Sequence, residues 1–183
     1  MADYISKDSI IAEAKDKVFV QDYSKKTLID GVKIVEIKNM VGEDGDLSEL
    51  LRLSENGEAE GFPGFHVRQI NRSKMLPNTV KAWHLHYKQE EIQTVRPEDH
   101  LIFGLWDVRE GSPTKNVTMK FAVGGGKAAL LYIPKGVAHG YMNVLNKSVT
   151  VVYFVSEQFD INSPDENRLP WDSLPGFWEP THE

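Results

Sequence analysis

From Gly31 onward the chain is a succession of short β-rich runs with turn residues between them and no helical pattern. The runs are rich in Val, Ile, Phe, Tyr and Trp, as half-buried strands are, and cover 32–38, 66–71, 80–86, 101–108, 117–123, 129–133 and 149–155. Glycine and proline interrupt the chain between them, for example at 110–113, 124–126 and 134–136. Many short strands without intervening helices predict an all-β sandwich or barrel.

The two ends of the chain differ from this pattern. Residues 6–16 favour a helix, because Ala and Glu are good helix formers and Ser6 or Ser9 can cap it. Residues 160–183 hold four prolines and two tryptophans, which predicts an irregular tail held to the body by Trp171, Phe177 and Trp178. We therefore expect a helical extension over 1–26 and one domain over 27–183 that includes the tail.

Composition excludes several classes of protein. With no cysteine among 183 residues there is no disulfide framework, thiolate nucleophile or Cys-ligated zinc. The first residues lack the basic and apolar segments of a signal peptide, and no apolar run approaches the roughly 20 residues that span a bilayer. A net charge of −6 argues against general nucleic-acid binding. The sequence predicts a cytoplasmic protein without a membrane or nucleic-acid partner.

Charge is distributed unevenly along the chain. Residues 66–96 carry six basic and two acidic residues, a net charge of +4, so the remainder of the chain carries −10. One interpretation is ordinary surface variation. The other is a basic pocket for an anionic small molecule on an otherwise acidic protein.

The segment 80–86 holds two histidines at the spacing of alternate strand residues. In a strand, alternate side chains share a face, so His84 and His86 should point the same way, together with Ala82. The same alternation predicts that Lys81, together with Trp83 and Leu85, points the other way. Two imidazoles on one face and large apolar side chains on the other indicate a functional site inside the barrel.

Two motifs surround this segment. His84, His86 and Glu90 form His-x-His-x-x-x-Glu, and the later segment 134–143 reads Pro-x-Gly-x-x-His-x-x-x-Asn, with its histidine at 139. The pair resembles the two motifs of the cupin superfamily, which implies a double-stranded β-helix, or jelly-roll, barrel. In metal-binding cupins these positions hold Fe, Mn, Ni or Zn, which here implies His84, His86, Glu90 and His139 as ligands of a divalent transition metal. Metal-free cupins keep parts of both motifs, so a site without any cofactor stays open.

A narrower resemblance covers about residues 27–178. Five segments carry it in order: Gln-Ile-Asn-Arg-Ser at 69–73, Lys-Ala-Trp-His at 81–84, Asp-Val-Arg-Glu-Gly-Ser-Pro-Thr at 107–114, Ile-Pro-Lys-Gly-Val-Ala-His-Gly-Tyr at 133–141, and Val-Val-Tyr at 151–153 followed by Leu-Pro-Trp-Asp at 169–172. Together they resemble the metal-free dTDP-4-dehydrorhamnose 3,5-epimerases and related nucleotide-sugar epimerases. The resemblance implies an isomerase without a cofactor, and a homodimer.

The resemblance also assigns residue roles for epimerisation of a nucleotide-linked 4-keto-6-deoxy sugar at C3, C5 or both. It implies that His84 is the base and Tyr153 the acid that returns a proton to the other face of the sugar. Lys81 takes the place of an arginine that meets the diphosphate. The remaining expected contacts to substrate are Gln69, Asn71, His86 and His139.

Some positions depart from the family pattern. A lysine that stabilises the enolate falls at Gln93, an aspartate falls at Phe103, and the arginine of an early Asp-x-Arg-Gly motif is missing at 43–46. Asp172 or Glu179 could take over the carboxylate that orients His84. Three hypotheses follow: the epimerase, a metal-dependent cupin isomerase or oxygenase in which a cation replaces the lysine, and a non-catalytic sugar-binding cupin.

Overall fold

The computed structural model describes residues 5–21, 23–24 and 27–180, and within them the regular secondary structure is almost entirely β-strand. The strands are β1 (Lys33–Glu36), β2 (Asn39–Gly42), β3 (Gly45–Ser48), β4 (Gln69–Met75), β5 (Thr79–Leu85), β6 (Glu91–Val95), β7 (His100–Asp107), β8 (Thr118–Gly124), β9 (Ala129–Ile133), β10 (Val137–Asn143), β11 (Val149–Val155) and β12 (Asn167–Arg168). No helix within the described residues combines the length and apolar character needed to cross a membrane.

Ten of these strands form two five-stranded antiparallel sheets. Sheet one has the order β1-β9-β6-β11-β4, and sheet two has the order β12-β5-β10-β7-β8. Strands β4 to β7 alternate between the sheets, and β9 to β12 alternate again, so the chain winds around a common interior. This is the jelly-roll barrel predicted from the sequence.

Each of the seven β-rich runs coincides with or overlaps a strand. The sequence pattern missed β2, β3 and the two-residue β12, as well as the two buried strands β6 and β10. Every residue of both strands is buried, and each carries polar residues among its apolar ones. A strand buried on both faces shows no alternation of polar and apolar side chains, so periodicity alone does not reveal it. Strands β6, β10 and β12 all carry residues of the pocket described below.

The core lies between the sheets. Leu101, Phe103 and Leu105 of β7 are fully buried and cluster with Met75 of β4 and Val151 of β11. Strand β7 therefore fills much of the interior, where Phe103 packs on Tyr141 of β10 with ring centroids 5.4 Å apart. Burial of side chains of this size supplies the main driving force for folding.

The tail covers the outer face of sheet two. Trp178 and Phe177 pack on Trp83 of β5, with ring centroids 4.9 and 5.0 Å apart. Gly104 of β7 lies directly beneath these rings, where a Cβ atom would collide with both. Two of the three predicted anchors hold the tail. The third prediction was wrong, because Trp171 is 59% exposed and lies at the pocket.

The N-terminal helix is shorter than predicted. A 3₁₀ turn spans Lys7–Ser9 and a one-turn helix, α1, spans Ala12–Lys15. Neither serine caps α1, whose N-cap is Ile11, and none of its residues is buried. A helix without an apolar face packed on the body gains little from propensity alone, which explains its length. Residues 1–4, 22, 25–26 and 181–183 of the predicted extension and tail lie outside the described residues.

Candidate active site

A pocket of about 470 Å³ opens between the two sheets. Sheet two contributes β5 and β10 to its walls, and sheet one contributes β4, β6 and β11. Its titratable lining includes His84, His86, Glu91, His139, Tyr141 and Tyr153. A concave site of this size with several converging polar groups is suited to a small-molecule ligand.

The two histidines of β5 enter this pocket together, as the alternation predicted. His84 and His86 both line it, whereas Trp83 and Leu85 are buried in the cluster under the tail. One strand therefore builds the site with one face and anchors the tail with the other.

Alternation failed for Lys81, which lines the same pocket as His84. Between the pairs His139–His84 and Tyr141–Lys81, two residues of β5 lie opposite the single residue Gly140 of β10. This is a β-bulge, which inserts one residue and turns the following side chains to the other face. The bulge brings Lys81 and His84 to the same wall.

Glu91 is the carboxylate that joins the histidines. Its two oxygens lie 3.2 Å from Nε2 of His86 and 3.2 Å from Nε2 of His139. The side-chain amides of Gln89 and Gln93 also donate to it. The prediction of Glu90 was therefore wrong by one residue: Glu90 instead acts on Tyr132, whose pKa burial and then Glu90 raise. In a strand, neighbouring residues point to opposite faces, so the shift by one decides which carboxylate enters the site.

This buried cluster is strongly coupled. Burial opposes ionisation of Glu91, but the charges and hydrogen bonds of His139 and His86 outweigh it and hold the pKa of Glu91 well below its ordinary value. Burial also disfavours the charged form of His86, yet Glu91 and the carbonyl of Asp165 raise the pKa of His86. The pair is therefore an ionised carboxylate and a histidine biased toward imidazolium.

His84 has the opposite character. Burial, followed by the nearby charges of His139 and Arg168, lowers the pKa of His84 to about 3. Its ring stacks on that of His139 with centroids 5.6 Å apart. Among the described residues none hydrogen-bonds to this ring, so neither Asp172 nor Glu179 orients it, contrary to that suggestion from the sequence. His84 is a neutral imidazole with a free nitrogen, the form that accepts a proton.

Two tyrosines complete the acid–base set. Tyr153 stands on β11 of sheet one, across the pocket from His84 on β5 of sheet two. Burial and then Glu91 raise the pKa of Tyr153, and burial raises that of Tyr141 strongly. Tyr153 therefore keeps its proton at neutral pH, as a proton donor must.

The expected nucleotide-contact residues occupy the edge strand β4. Gln69 donates to Asn71 at 2.8 Å and accepts the backbone N–H of Phe159 at 3.0 Å. Neither residue contributes to the pocket wall, although Ser73 on the same face of β4 does. Lys81 reaches across to donate to Ser73 at 2.9 Å.

The structure adds residues to the pocket that the sequence did not place there. Arg168 and Glu166 line the pocket from β12 and the loop before it, and Trp171 lines it from the tail. Asp165 accepts the backbone N–H groups of residues 87–89 and presents its carbonyl to His86. Residues 165–168 follow an irregular stretch of chain, and the contacts of Asp165 and the pairing of β12 with β5 bring them to the site.

Gln93 and Phe103 occupy the positions where the resemblance expected charged residues. The amide of Gln93 donates to Glu91, and its buried Oε1 has no partner among the described residues. Phe103 belongs to the core between the sheets. Neither residue therefore presents a positive charge to the pocket.

The His86, Glu91 and His139 cluster has the chemistry of a possible metal site, since its ligand atoms all lie within 4.8 Å of one another. Nδ1 of His86 faces the carbonyl of Asp165 at 2.5 Å, and Nδ1 of His139 faces that of Val137 at 3.2 Å. A carbonyl only accepts, so each Nδ1 carries a proton, and each Nε2 is either protonated toward Glu91 or free to bind a cation. The residues fit a divalent transition metal.

The fold and the pocket define a class of protein, a cupin-type barrel enzyme with a polar pocket between its sheets. A sequence profile described as dTDP-4-dehydrorhamnose 3,5-epimerase matches residues 26–174. The chain belongs to this family of isomerases.

Individual relatives agree with that assignment. The chain is 37% identical over 145 residues, covering 79% of it and 91% of the relative, to the spore coat polysaccharide biosynthesis protein SpsL of Bacillus subtilis. A dTDP sugar isomerase from Desulfovibrio desulfuricans is 26% identical, with a TM-score of 0.68 over 79% of this chain and 87% of that one. The RmlC epimerase of Legionella pneumophila, solved with dTDP-4-keto-L-rhamnose, has the same fold at 24% identity and a TM-score of 0.67, covering 80% and 76% of the two chains.

Proposed function

We propose that this protein epimerises a nucleotide-diphosphate-linked 4-keto-6-deoxy sugar at C3, C5 or both, in the biosynthesis of a polysaccharide or another deoxysugar glycoside. The observation that carries the proposal is the placement of a neutral His84 and a protonated Tyr153 on opposite walls of one pocket. Family membership, the polysaccharide pathway named for one relative and the keto-sugar bound to another support it.

The reaction follows from these two groups. The C4 ketone acidifies the C–H bonds at C3 and C5. His84 takes a proton from such a carbon, the C–H electron pair forms a C=C bond, and the carbonyl pair moves onto the C4 oxygen. The electron pair on the C4 oxygen then re-forms the carbonyl, and the C=C pair takes the hydroxyl proton of Tyr153 on the other face of the carbon. His84 is left protonated and Tyr153 deprotonated, and water restores both.

Binding of the substrate uses the rest of the pocket. Lys81 supplies a positive charge for the diphosphate, as a point charge without the bidentate geometry of arginine. Gln69 and Asn71 contact the nucleotide on β4, at the rim beyond Ser73. His86 and His139, with their ring nitrogens held by Glu91 and backbone carbonyls, form the floor of the pocket against which the sugar lies.

The second candidate is a metal-dependent cupin isomerase or oxygenase. The observation that favours it is the pair of Nδ1–H groups fixed by carbonyls, which leaves both Nε2 atoms directed at Glu91. In this case His86, Glu91 and His139 would hold a divalent cation, which supplies Lewis-acid chemistry when bound. The epimerase as proposed needs no cofactor.

We also propose a cytoplasmic homodimer. Strands β1 and β4 are the outer strands of sheet one among the described residues. Ile34 and Val35 of β1 and Ile70 of β4 are between 40% and 59% exposed. Exposed strand edges with apolar side chains favour pairing with a second copy.

Deuterium wash-in tests the function directly. The protein is incubated with a dTDP-4-keto-6-deoxy sugar in D₂O, with and without a chelator, and the C3 and C5 protons are followed by NMR. Exchange that the chelator leaves unchanged supports the metal-free epimerase, and the carbons that exchange define its specificity. Exchange that the chelator abolishes supports the metal enzyme. Absence of exchange in both conditions removes this substrate and leaves a different nucleotide sugar or a sugar-binding protein.

A further inference from the structure

Proton removal next to a ketone creates a negative charge on the ketone oxygen, and a site for this reaction needs a positive group there. Several N–H-donating side chains of the pocket are already engaged. His86 and His139 direct their Nε2 atoms to Glu91 and their Nδ1 atoms to backbone carbonyls. Lys81 donates to Ser73 and to the carbonyl of Lys74 at the rim.

Arg168 is the remaining cation on the pocket wall among the described residues. It is paired directly with His84 in the β12–β5 ladder. Residues directly opposite each other in an antiparallel pair carry their side chains on the same face, roughly 5 Å apart at Cβ. The guanidinium therefore rises from the sheet beside the imidazole that removes the proton.

The guanidinium of Arg168 is also available to a ligand. Its ion-pair partner in the described part of the chain is Glu166, at a long 3.5 Å, and its side chain is 52% exposed. Its positive charge acts on both members of the acid–base pair. It lowers the pKa of His84, after burial and His139, and it opposes the rise in the pKa of Tyr153 that burial causes.

We propose that Arg168 is a catalytic residue that donates a hydrogen bond to the C4 oxygen of the substrate and stabilises the enolate. The assignment rests on the proposed epimerase function. As His84 takes the proton from carbon, the charge on the C4 oxygen grows and the N–H···O contact becomes charge-assisted. Arg168 keeps its protons throughout, because a guanidinium does not deprotonate in proteins. When the carbon is reprotonated, the carbonyl reforms and the contact weakens.

A different role for Arg168 would be diphosphate binding. The strand register argues against this role. Lys81, the expected diphosphate contact, pairs with Tyr141 on the far side of the bulge, whereas Arg168 pairs with the base His84. A residue that binds the diphosphate contributes to ground-state affinity, and one that meets the enolate contributes to the chemical step. The two roles therefore separate in kinetics.

The test compares Arg168→Gln and Arg168→Lys with wild type in two assays, deuterium exchange from the 4-keto sugar and equilibrium binding of dTDP. Arg168→Gln should slow exchange by about 100-fold or more while dTDP affinity stays within about threefold. Arg168→Lys should recover part of the rate, because it keeps the charge without the planar fork. The control is Arg52→Gln, an exposed arginine ion-paired to Glu49 away from the pocket, which should change neither assay.

Each outcome decides the assignment. If wild type exchanges deuterium and Arg168→Gln does so at the same rate, the assignment of Arg168 is overturned and the epimerase function stands. Loss of dTDP affinity with an unchanged rate at saturation makes Arg168 a nucleotide-binding residue and also overturns it. If Arg168→Gln fails to fold, Arg168→Met replaces it, since it also removes the charge. A folded Arg168→Met with the wild-type rate is then the contradicting result, and a slowed one supports the assignment. A wild-type protein that shows no exchange rejects the dTDP-4-keto sugar as its substrate, and the assignment of Arg168 to the enolate of that sugar falls with it.

Discussion

Lys81 and His84 lie on the same wall of the pocket, although they are three residues apart on strand β5. A regular strand would place them on opposite faces. The β-bulge opposite Gly140 reverses this, so a charge for the substrate phosphate and a base for its sugar enter one cavity. The pocket therefore depends on the packing of two backbones at this point.

Gly140→Ala tests that dependence. A Cβ at position 140 would lie 2.5 Å from Cβ of Ala82 and 2.6 Å from the backbone carbonyl of Lys81. Because backbone cannot move aside cheaply, we expect a loss of about 3 kcal/mol of unfolding free energy and a displaced bulge with weaker activity. Gly111→Ala is the control, since nothing lies within 4 Å of its Cβ position. Equal urea midpoints for both variants would contradict the account.

Tyr153→Phe separates proton removal from inversion. His84 alone can remove a proton and return deuterium to the same face, so exchange into the sugar should persist. Net epimerisation should fall by about 100-fold or more, because the donor on the other face is lost. His84→Asn should abolish both. Tyr87→Phe, at a 66% exposed position, serves as the control. NMR of the sugar measures both processes in one sample, and parallel loss of the two in Tyr153→Phe would contradict the assigned roles.

Glu91→Gln and Glu90→Gln compare adjacent carboxylates. Glu91 accepts from two histidines and two amides, so its replacement should cost roughly 3 kcal/mol and lower activity. Glu90 lies on the other face beside Tyr132, and an amide there can still accept, so we expect a change within about 0.5 kcal/mol. Thermal unfolding and metal analysis of both variants check this. A larger loss of stability in Glu90→Gln than in Glu91→Gln would contradict the roles assigned to the two carboxylates.

Asp107 should give the protein an acid-sensitive stability. Burial opposes its ionisation, but hydrogen bonds from Arg109, Ser112 and Thr114 outweigh it and lower the pKa of Asp107 below its ordinary 3.8. A lowered folded-state pKa adds stability above about pH 4, and that stability is lost as the pH falls below it. Asp107→Asn should therefore cost about 3 kcal/mol at pH 7 and progressively less in acid.

Urea titrations of Asp107→Asn and wild type across the acid range measure this difference. The exposed Asp46→Asn removes the same charge from the hairpin formed by β2 and β3 and should leave the curve unchanged. If the difference in unfolding free energy between wild type and Asp107→Asn stays constant with pH, Asp107 stabilises the fold without its charge.

The tail tryptophans should behave differently. Trp178 is 5% exposed and packs on Trp83, so Trp178→Ala should cost about 3–5 kcal/mol. Trp171 is 59% exposed at the pocket, so Trp171→Ala should leave stability within about 0.5 kcal/mol. Binding of dTDP should weaken for Trp171→Ala. Thermal unfolding and a dTDP-binding titration measure the two effects. A large loss of stability in Trp171→Ala with unchanged dTDP binding would instead mean that Trp171 anchors the tail.

Local sequence patterns were enough to predict the all-β barrel and the shared face of the two histidines. Both follow from local rules: the composition of short strands and the two-residue repeat of their side chains. These rules act on neighbouring residues and hold wherever the strand is regular. The tryptophan and proline content of the tail likewise indicated an irregular segment packed on the body.

Tertiary structure decided the rest of the site. The bulge that turns Lys81 arises from the close approach of β5 to Gly140 on another strand. The choice of Glu91 over Glu90 depends on the register of β6, which the sequence pattern did not reveal because the strand is buried on both faces. Arg168 reaches the pocket only because β12 pairs with β5. Contacts between residues far apart in the chain set all three, and no periodicity within one segment encodes them.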